Sequence, residues 1–308
     1  MTKRLRQESG MVLLLVLVVV ALLSSLLMEF AFSTLVDLRL AETFRDTTRA
    51  YYLAKGGVQV GRMLLQKDKN EWDSQDELWA QGITNYPVGD GFVTVQIDDL
   101  ASRLQLNSLV DATDNPNTVA VDRFVRLFTE LGLEQPGDLT AALVDWIDAN
   151  DEDYQGVGNG AENTYYQGLE HPYPAKNAPF DSLDELSMVR GFTPEVCNLV
   201  RPFLTVYGGD KVNINTASAE VLMTLAPEMD RTSAETIIEA RQNHPFKTIS
   251  ALQELPGMDT VYGFIHLYIS VNSPTFRITA SGGVGDGARR VEAVIRKADD
   301  KLLYFKVE

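Results

Sequence analysis

Between residues 148 and 163 the chain gathers Asp148, Asp151, Glu152, Asp153 and Glu162 with Asn150, Asn159 and Asn163. Gly156, Gly158 and Gly160 bend the backbone, and the loop carries no basic residue. Oxygen donors at this density are the hard ligands that calcium takes six to eight at a time. Without a cation, carboxylates so close disfavour one another's ionisation. The spacing is not that of an EF-hand, which needs a glycine at the sixth loop position and a glutamate at the twelfth. A solvated acidic turn has the same composition, so both readings stand on the residues alone. Catalysis finds less support. His171, His244 and His266 fall in separate segments without metal-ligand spacing, and no Gly-x-Ser-x-Gly elbow or phosphate loop occurs. Asp145 and Asp148 could form an acid–base pair, but two carboxylates three residues apart at a helix end are common. The expectation is a chain that is not an enzyme.

Composition describes what must hold such a loop. A chain of 308 residues that is 45% hydrophobic and 23% charged is long enough for more than one domain and rich enough for a sizeable core. The formal charge is −16, and removing residues 1–10, which carry a net +2, leaves −18. Such a surface repels nucleic-acid phosphates and suits cations. Cys197 is the single cysteine, so no intrachain disulfide can form; it lies on an apolar helical face and reads as a small buried hydrophobe.

The N-terminus is the strongest element signal. Lys3, Arg4 and Arg6 precede an apolar run from Met11 to Met28, whose only polar side chains are Ser24 and Ser25. Eighteen residues rising about 1.5 Å each give roughly 27 Å of helix, enough to cross a bilayer core. The cations place the head in the cytoplasm and the rest outside. A secretory signal is cut after its apolar run, whereas the processing point here, Gly10-Met11, lies before it, so the helix is retained. Leu35, Leu38, Phe44, Tyr51, Tyr52, Leu53, Val58, Val60, Met63 and Leu64 continue a helical spacing to about residue 67, interrupted only by Gly56-Gly57 and Gly61. One long helix is expected, half in the membrane and half presenting a stripe to a globular head.

Residues 70–91 read as an acidic, turn-rich stretch. Period-two alternation then marks strands at 92–98 and, after a long gap, at 276–280, 291–296 and 302–307. The gap reads mostly as helix, at 119–133, 139–147, 183–189, 194–203, 217–225, 234–242 and 249–255. A helical domain is therefore inserted into a sheet domain.

The leader resembles the class III leader of the type IV pilin family, with one departure: Leu15 stands at the fifth position after the cut, where that family usually has glutamate. A subunit with no neighbour above it can dispense with that carboxylate. The runs 145–152, 160–166, 172–177 and 182–186, with Arg103-Leu104-Gln105-Leu106-Asn107-Ser108-Leu109 and Val212-Asn213-Ile214-Asn215-Thr216-Ala217, are similar to segments of the K-type minor pseudopilin family of type II secretion. The resemblance implies an α+β, type IV pilin-like fold, with the long N-terminal helix packed on an antiparallel sheet and a large inserted all-α domain. Its parts would be a leader at 1–10, a membrane helix at 11–28, stem helix and first strand at 29–100, the α-domain at 101–272 and the last strands at 273–308. Within the α-domain lie the acidic loop at 145–185 and a helix-hairpin-helix-like part at 212–258. It further implies cleavage at Gly10 by a prepilin peptidase, methylation of Met11, and assembly through Met11, Leu15, Ala21, Ser24 and Ser25. The partners implied are the I and J minor pseudopilins, other pseudopilins and an inner-membrane platform, at a pseudopilus tip with the globular part in the periplasm. Structural calcium is implied too, with Asp148, Asp151, Glu162 and Asn163 as leading ligands and Asp153 and Asp181 in reserve. A minor pilin of a type IV pilus is the alternative within the same fold.

Residues 212–258 also resemble the helix-hairpin-helix unit of periplasmic DNA receptors, which would make the chain a nucleic-acid binder. The first hairpin, Ala226-Pro227-Glu228-Met229-Asp230, lacks glycine and carries two carboxylates. The second has only Gly257. The expectation is a packing unit without DNA chemistry.

Overall fold

The computed structural model describes the backbone of residues 2–308 and the side chains from residue 10 onward. The side chains of Lys3, Arg4 and Arg6, which carry the orientation argument, lie outside the described residues. Helix α1 (Thr2–Lys67) is continuous, followed by α2 (Leu78–Gln81), β1 (Ile83–Val88) and β2 (Gly91–Asp99). The insertion holds β3 (Leu104–Gln105), α3 (Thr118–Glu130), α4 (Pro136–Ile147), α5 (Asn163–Gln167), α6 (Pro194–Val200) and β4 (Leu204–Thr205). It continues through β5 (Val212–Asn213), α7 (Ala219–Met223), α8 (Arg231–Asn243), α9 (Met258–Ile265) and β6 (Ile269–Ser270). Strands β7 (Thr275–Val284), β8 (Gly287–Arg296) and β9 (Lys301–Val307) close the chain.

The main sheet runs β1-β2-β7-β8-β9, antiparallel throughout. Asp99, where the chain leaves β2, faces Phe276, where it resumes in β7. The two ends of the insertion therefore share one rung of the sheet, and a whole domain can be spliced in without disturbing the ladder.

Two cores follow from this layout. In the smaller, Ala54, Val58 and Leu65 of α1 meet Val93, Val95, Ile97, Phe276, Ile278, Ala280, Val291, Ala293 and Ile295, with Trp79 of α2 edge-on to Phe276. The larger fills the insertion, from Leu104 to Val271. The glycines that interrupt the helical stripe are its closest contacts: a Cβ at Gly57 would stand 2.9 Å from Val93 and 3.0 Å from Ala280, and one at Gly61 would stand 2.8 Å from Ile278. The exposed apolar residues of α1 run from Met11 to Phe44 on the free stem, and Tyr52 and Met63 remain exposed beside the sheet.

Several segments depart from expectation. Leu183–Met188 and Ile249–Glu254 are 3-10 turns, and α5 and α9 stand outside the expected helices. The insertion is helical but not all-α, since β3 pairs with β4 and β5 with β6. Two further departures concern the main sheet. Residues 70–91 contain α2 and an edge strand, because β1 buries almost nothing and so shows no apolar alternation; Pro87 is tolerated there at the sheet margin. Strand β7 runs through Gly282 and Gly283, which read as turn residues. Both pair with Phe92 and Val93 in β2, and Gly282 lies against the α1 backbone at Ala50, where a side chain has no room. The register between α1 and the sheet should be sensitive at the glycine that faces the sheet and not at one that faces away. Gly61→Leu is expected to destabilise the protein by about 1–3 kcal/mol through overpacking. Gly56→Ala, whose Cβ meets nothing within 4 Å, should be neutral or stabilising by up to about 1 kcal/mol. Thermal unfolding of the two purified variants checks both.

Candidate functional site

The acidic loop leaves the end of α4 and returns through α5 to Phe180. Its floor is aromatic: Trp146 lies 5.3 Å from Tyr166, 6.3 Å from Phe180 and 6.4 Å from Tyr173 between ring centroids. Asn107 fastens the returning segment, donating from Nδ2 to the Phe180 carbonyl at 3.0 Å and accepting from the Phe180 N–H at 2.7 Å. On that floor Asp145, Asp148 and Glu162 are 0%, 1% and 2% exposed.

Their hydrogen bonding is incomplete. Asp145 Oδ1 accepts from the Tyr154 N–H at 2.9 Å, and Glu162 Oε2 accepts from the Asn163 N–H at 3.3 Å. Asp145 Oδ2, Asp148 Oδ1, Glu162 Oε1 and Asn177 Oδ1 are buried without a partner. Arg190 approaches, but its guanidinium donates to the carbonyls of Gly160 and Asn159, at 2.7 and 2.8 Å. Burial pushes Asp145 up to about 6. Burial first, then the neighbouring charges of Asp145 and Asp114, pushes Asp148 up to about 7. Burial, Asp145 and Asp148 push Glu162 up to about 8. The free oxygens Asp145 Oδ2, Asp148 Oδ1 and Glu162 Oε1 would suit a hard divalent cation, because such groups are otherwise costly to bury, although the ligand atoms of the three residues do not all lie within 4.8 Å of one another.

The expected ligands divide. Asp148 and Glu162 are in the buried cluster. Asp151 is exposed and accepts from Asn163 Nδ2 at 2.5 Å and Asn177 Nδ2 at 3.2 Å; Asn163 Oδ1 accepts from the Ala175 N–H at 2.9 Å. Asp153 is exposed but near enough to Asp145 to raise it. Asp181 is turned away and pairs with Lys176 at 2.8 Å, 90% exposed. Asp145 and Asn177 were missing from the expected set. Asp145 carries a sequence signal, since it shares a helical face with Asp148, but its burial is decided by Gly160, where any side chain would occupy the position of the Asp145 carboxyl.

A second group, Asp68, Asp73 and Glu77, brings its ligand atoms within 4.8 Å at the end of α1. Here Lys297 Nζ already lies 2.7 Å from Asp68 Oδ2 and 2.5 Å from Asp73 Oδ1, so two of the three carboxylates share one ammonium.

The hairpin segment carries carboxylates where phosphate would approach. Asp230 caps α8, accepting from the Ser233 N–H at 2.8 Å, and Asp259 sits in the first turn of α9, which Gly257 opens at φ +77°. His171 and His244 are exposed, and His266 turns Nδ1 toward the Tyr262 and Gly263 carbonyls. Cys197 is buried, and burial pushes its thiol up.

On the stem, Met11, Leu15, Ala21, Ser24 and Ser25 are all exposed. The helix is long and apolar enough to cross a membrane.

Family models described as "Type II secretion system (T2SS), protein K" match residues 102–209 and 212–272, together more than half of the chain. The chain is 28% identical to the type II secretion system protein K of Aeromonas hydrophila over 98% of its own length and 97% of that protein. For the proteins of the same name from Klebsiella pneumoniae and Pseudomonas aeruginosa the identities are 26% and 27%, covering 94% and 96% of this chain and 93% and 90% of those. Its fold matches a chain in the crystal structure of the GspK-GspI-GspJ complex from the enterotoxigenic Escherichia coli type 2 secretion system, with a TM-score of 0.72 at 17% identity. That match covers 88% of this chain and 99% of the other.

If the buried carboxylates await a cation, the metal-free protein must respond to acid in an unusual direction. Groups whose folded pKa is raised to about 6, 7 and 8 bind protons more tightly in the native state, so stability should rise as pH falls from about 8 toward 5. Melting curves in chelator across that range test the sign. Asp148→Asn with Glu162→Gln should flatten the dependence.

Proposed function

This chain belongs to the type II secretion system protein K family, and we propose that it caps the pseudopilus as its tip subunit. One observation carries the reading. Along α1, Asp46 lies against the turn glycines Gly285 and Gly287, Gly57 against Val93 and Ala280, and Gly61 against Ile278. The sheet therefore climbs the helix toward the Asp99–Phe276 rung, and the inserted domain leaves at the end farthest from the apolar segment. Thirty-nine residues separate Met28 from Lys67, about 58 Å of helix. A broad domain at that height leaves no room for another subunit above.

In this reading a prepilin peptidase cuts after Gly10 and methylates Met11. The apolar stem then sits in the inner membrane with the head in the periplasm, and packs against the stems of the I and J minor pseudopilins. The small Ala21, Ser24 and Ser25 permit close helix approach. The remaining pseudopilins and the inner-membrane platform extend the filament below. Leu15 suits a subunit whose fifth residue meets no partner amine. The chain's work is assembly, without a reaction of its own.

Calcium belongs to the same reading, held by Asp145, Asp148 and Glu162 with help from Asp151 and Asn177; it would neutralise their mutual repulsion and brace the loop. At a hundred times its dissociation constant a ligand adds about 2.7 kcal/mol. Chelation at pH 8 should therefore lower the melting temperature by about 5–10 °C, at roughly 2–4 °C per kcal/mol for a domain of this size. An unchanged melt removes the calcium assignment.

Two experiments test assembly. Protein isolated from secreting cells should begin at Met11 and co-purify in stoichiometric amounts with the I and J subunits of its own operon. A retained leader, or a missing stem, overturns the reading. Leu15→Glu places an unpaired carboxylate in the apolar stem and is expected to slow secretion severalfold. Normal secretion by this variant ends the tip rationale for Leu15.

A further inference from the structure

Residues 212–216 were singled out by sequence as the opening of a hairpin unit, yet nothing in the assembly reading uses them. In the structure they lie at the junction of the two cores. Asn213 is fully buried, and its Nδ2 lies 3.0 Å from each of three acceptors on separate segments: the Asp73 carbonyl after the stem helix, Asp99 Oδ2 at the end of β2, and Ser273 Oγ just before β7. Thr216 Oγ1 donates to the same Asp99 oxygen at 2.5 Å, while Asp99 Oδ1 accepts from the Ala101 N–H at 2.7 Å. Asp73 Oδ2 accepts from the Ser273 N–H at 2.8 Å, and its Oδ1 reaches Lys297 at the β8–β9 turn. From the other side, Asn215 Nδ2 donates to the Phe246 carbonyl at 2.9 Å, and its Oδ1 accepts from the Phe246 N–H at 2.8 Å. That contact ties the segment to the inserted domain.

We propose that Asn213 is the positioning residue of a rigid joint, clamping the exit from the stem and both chain crossings so that the inserted domain moves as one body with the helix. Asn213 belongs to the inserted domain through β5, paired in parallel with β6, but its amide is spent on segments that belong to or lead into the sheet domain. Three acceptors from three segments converge on one amide group. Loss of that amide takes the side-chain donor from the Asp73 carbonyl and one of the donors from Asp99, which keeps Thr216 and the Ala101 N–H, and a buried acceptor without a donor is costly. Asn213 adds no apolar side chain to either core, although its neighbours Val212 and Ile214 belong to the larger one. Whether the joint is separable from the folding of the insertion is what a labelled pair within the insertion reads, and the joint depends neither on calcium nor on the tip assignment.

The test uses the full chain in a Cys197→Ala background, with spin labels at Arg289→Cys on the sheet and Glu170→Cys on the inserted domain, both exposed. A second pair, Glu134→Cys with Glu170→Cys, lies wholly within the insertion. The parent protein should give one narrow distance peak for each pair. Asn213→Ala is expected to lose the narrow peak across the joint and keep it within the insertion. A folded Asn213→Ala protein whose inter-domain peak stays narrow overturns the proposal, as does broadening of both pairs together, which would mark Asn213 as ordinary interior of the insertion. If Asn213→Ala does not fold, Ser273→Ala and Lys297→Met each remove one contact of the joint. Partial broadening in either supports the proposal, and narrow peaks in both overturn it.

Discussion

The close approach of α1 to the sheet at Gly57 and Gly61 is the contact on which the architecture depends. With no Cβ at either position the helix settles onto Val93, Ala280 and Ile278, and each residue of the stem acquires a fixed height on the sheet. That register places the Asp99–Phe276 rung beside the end of the helix, away from the apolar half. The inserted domain is carried at the far end of the molecule for this reason, and not through any property of its own sequence. The same helix is bare from Met11 to Leu40, so its apolar surface has to be covered by lipid or by other helices.

Charge is managed in two opposite ways in a strongly acidic chain. At the stem end, Asp68 and Asp73 are answered by Lys297. Burial raises Asp73 to about 6, while Lys297 and the Ser273 N–H hold it down. At the acidic loop Arg190 acts on Asp145 only as a nearby charge, no ion pair to Asp145, Asp148 or Glu162 forms among the described residues, and each of the three keeps one buried oxygen without a partner. The first arrangement shares one ammonium between two carboxylates at the junction between the two parts. The second leaves three buried oxygens without a donor among the described residues, and burial keeps those carboxyls easier to protonate than usual.

Much of this was legible in the residues. The long apolar helix, its continuation to residue 67, the late strands and most helices of the insertion follow from period, turn signals and caps, because each is a local property of the backbone and its nearest neighbours. Strand β1 was not legible: an exposed edge strand held by backbone bonds has no apolar pattern to show. Strand β7 was read too short because Gly282 and Gly283 look like a turn unless the helix lying against Gly282 is known. At the candidate site, a loop rich in acids was visible, but which of its acids are buried was not.

By itself the sequence determined that the chain has a greasy stem behind a Gly-Met step, a sheet split by a helical insertion, and a basic-residue-free acidic loop. These are matters of composition, order and short-range spacing. Only the tertiary structure decided that Asp145 joins Asp148 and Glu162 while Asp181 leaves for Lys176, and that Asn213 faces a junction instead of a phosphate. At the junction, partnership depends on residues from 31 to 140 positions apart meeting in space, as when Asn213 reaches Asp73 or Asn215 grips Phe246, and in the loop it depends on which way a short-range turn faces the interior; no local pattern encodes either.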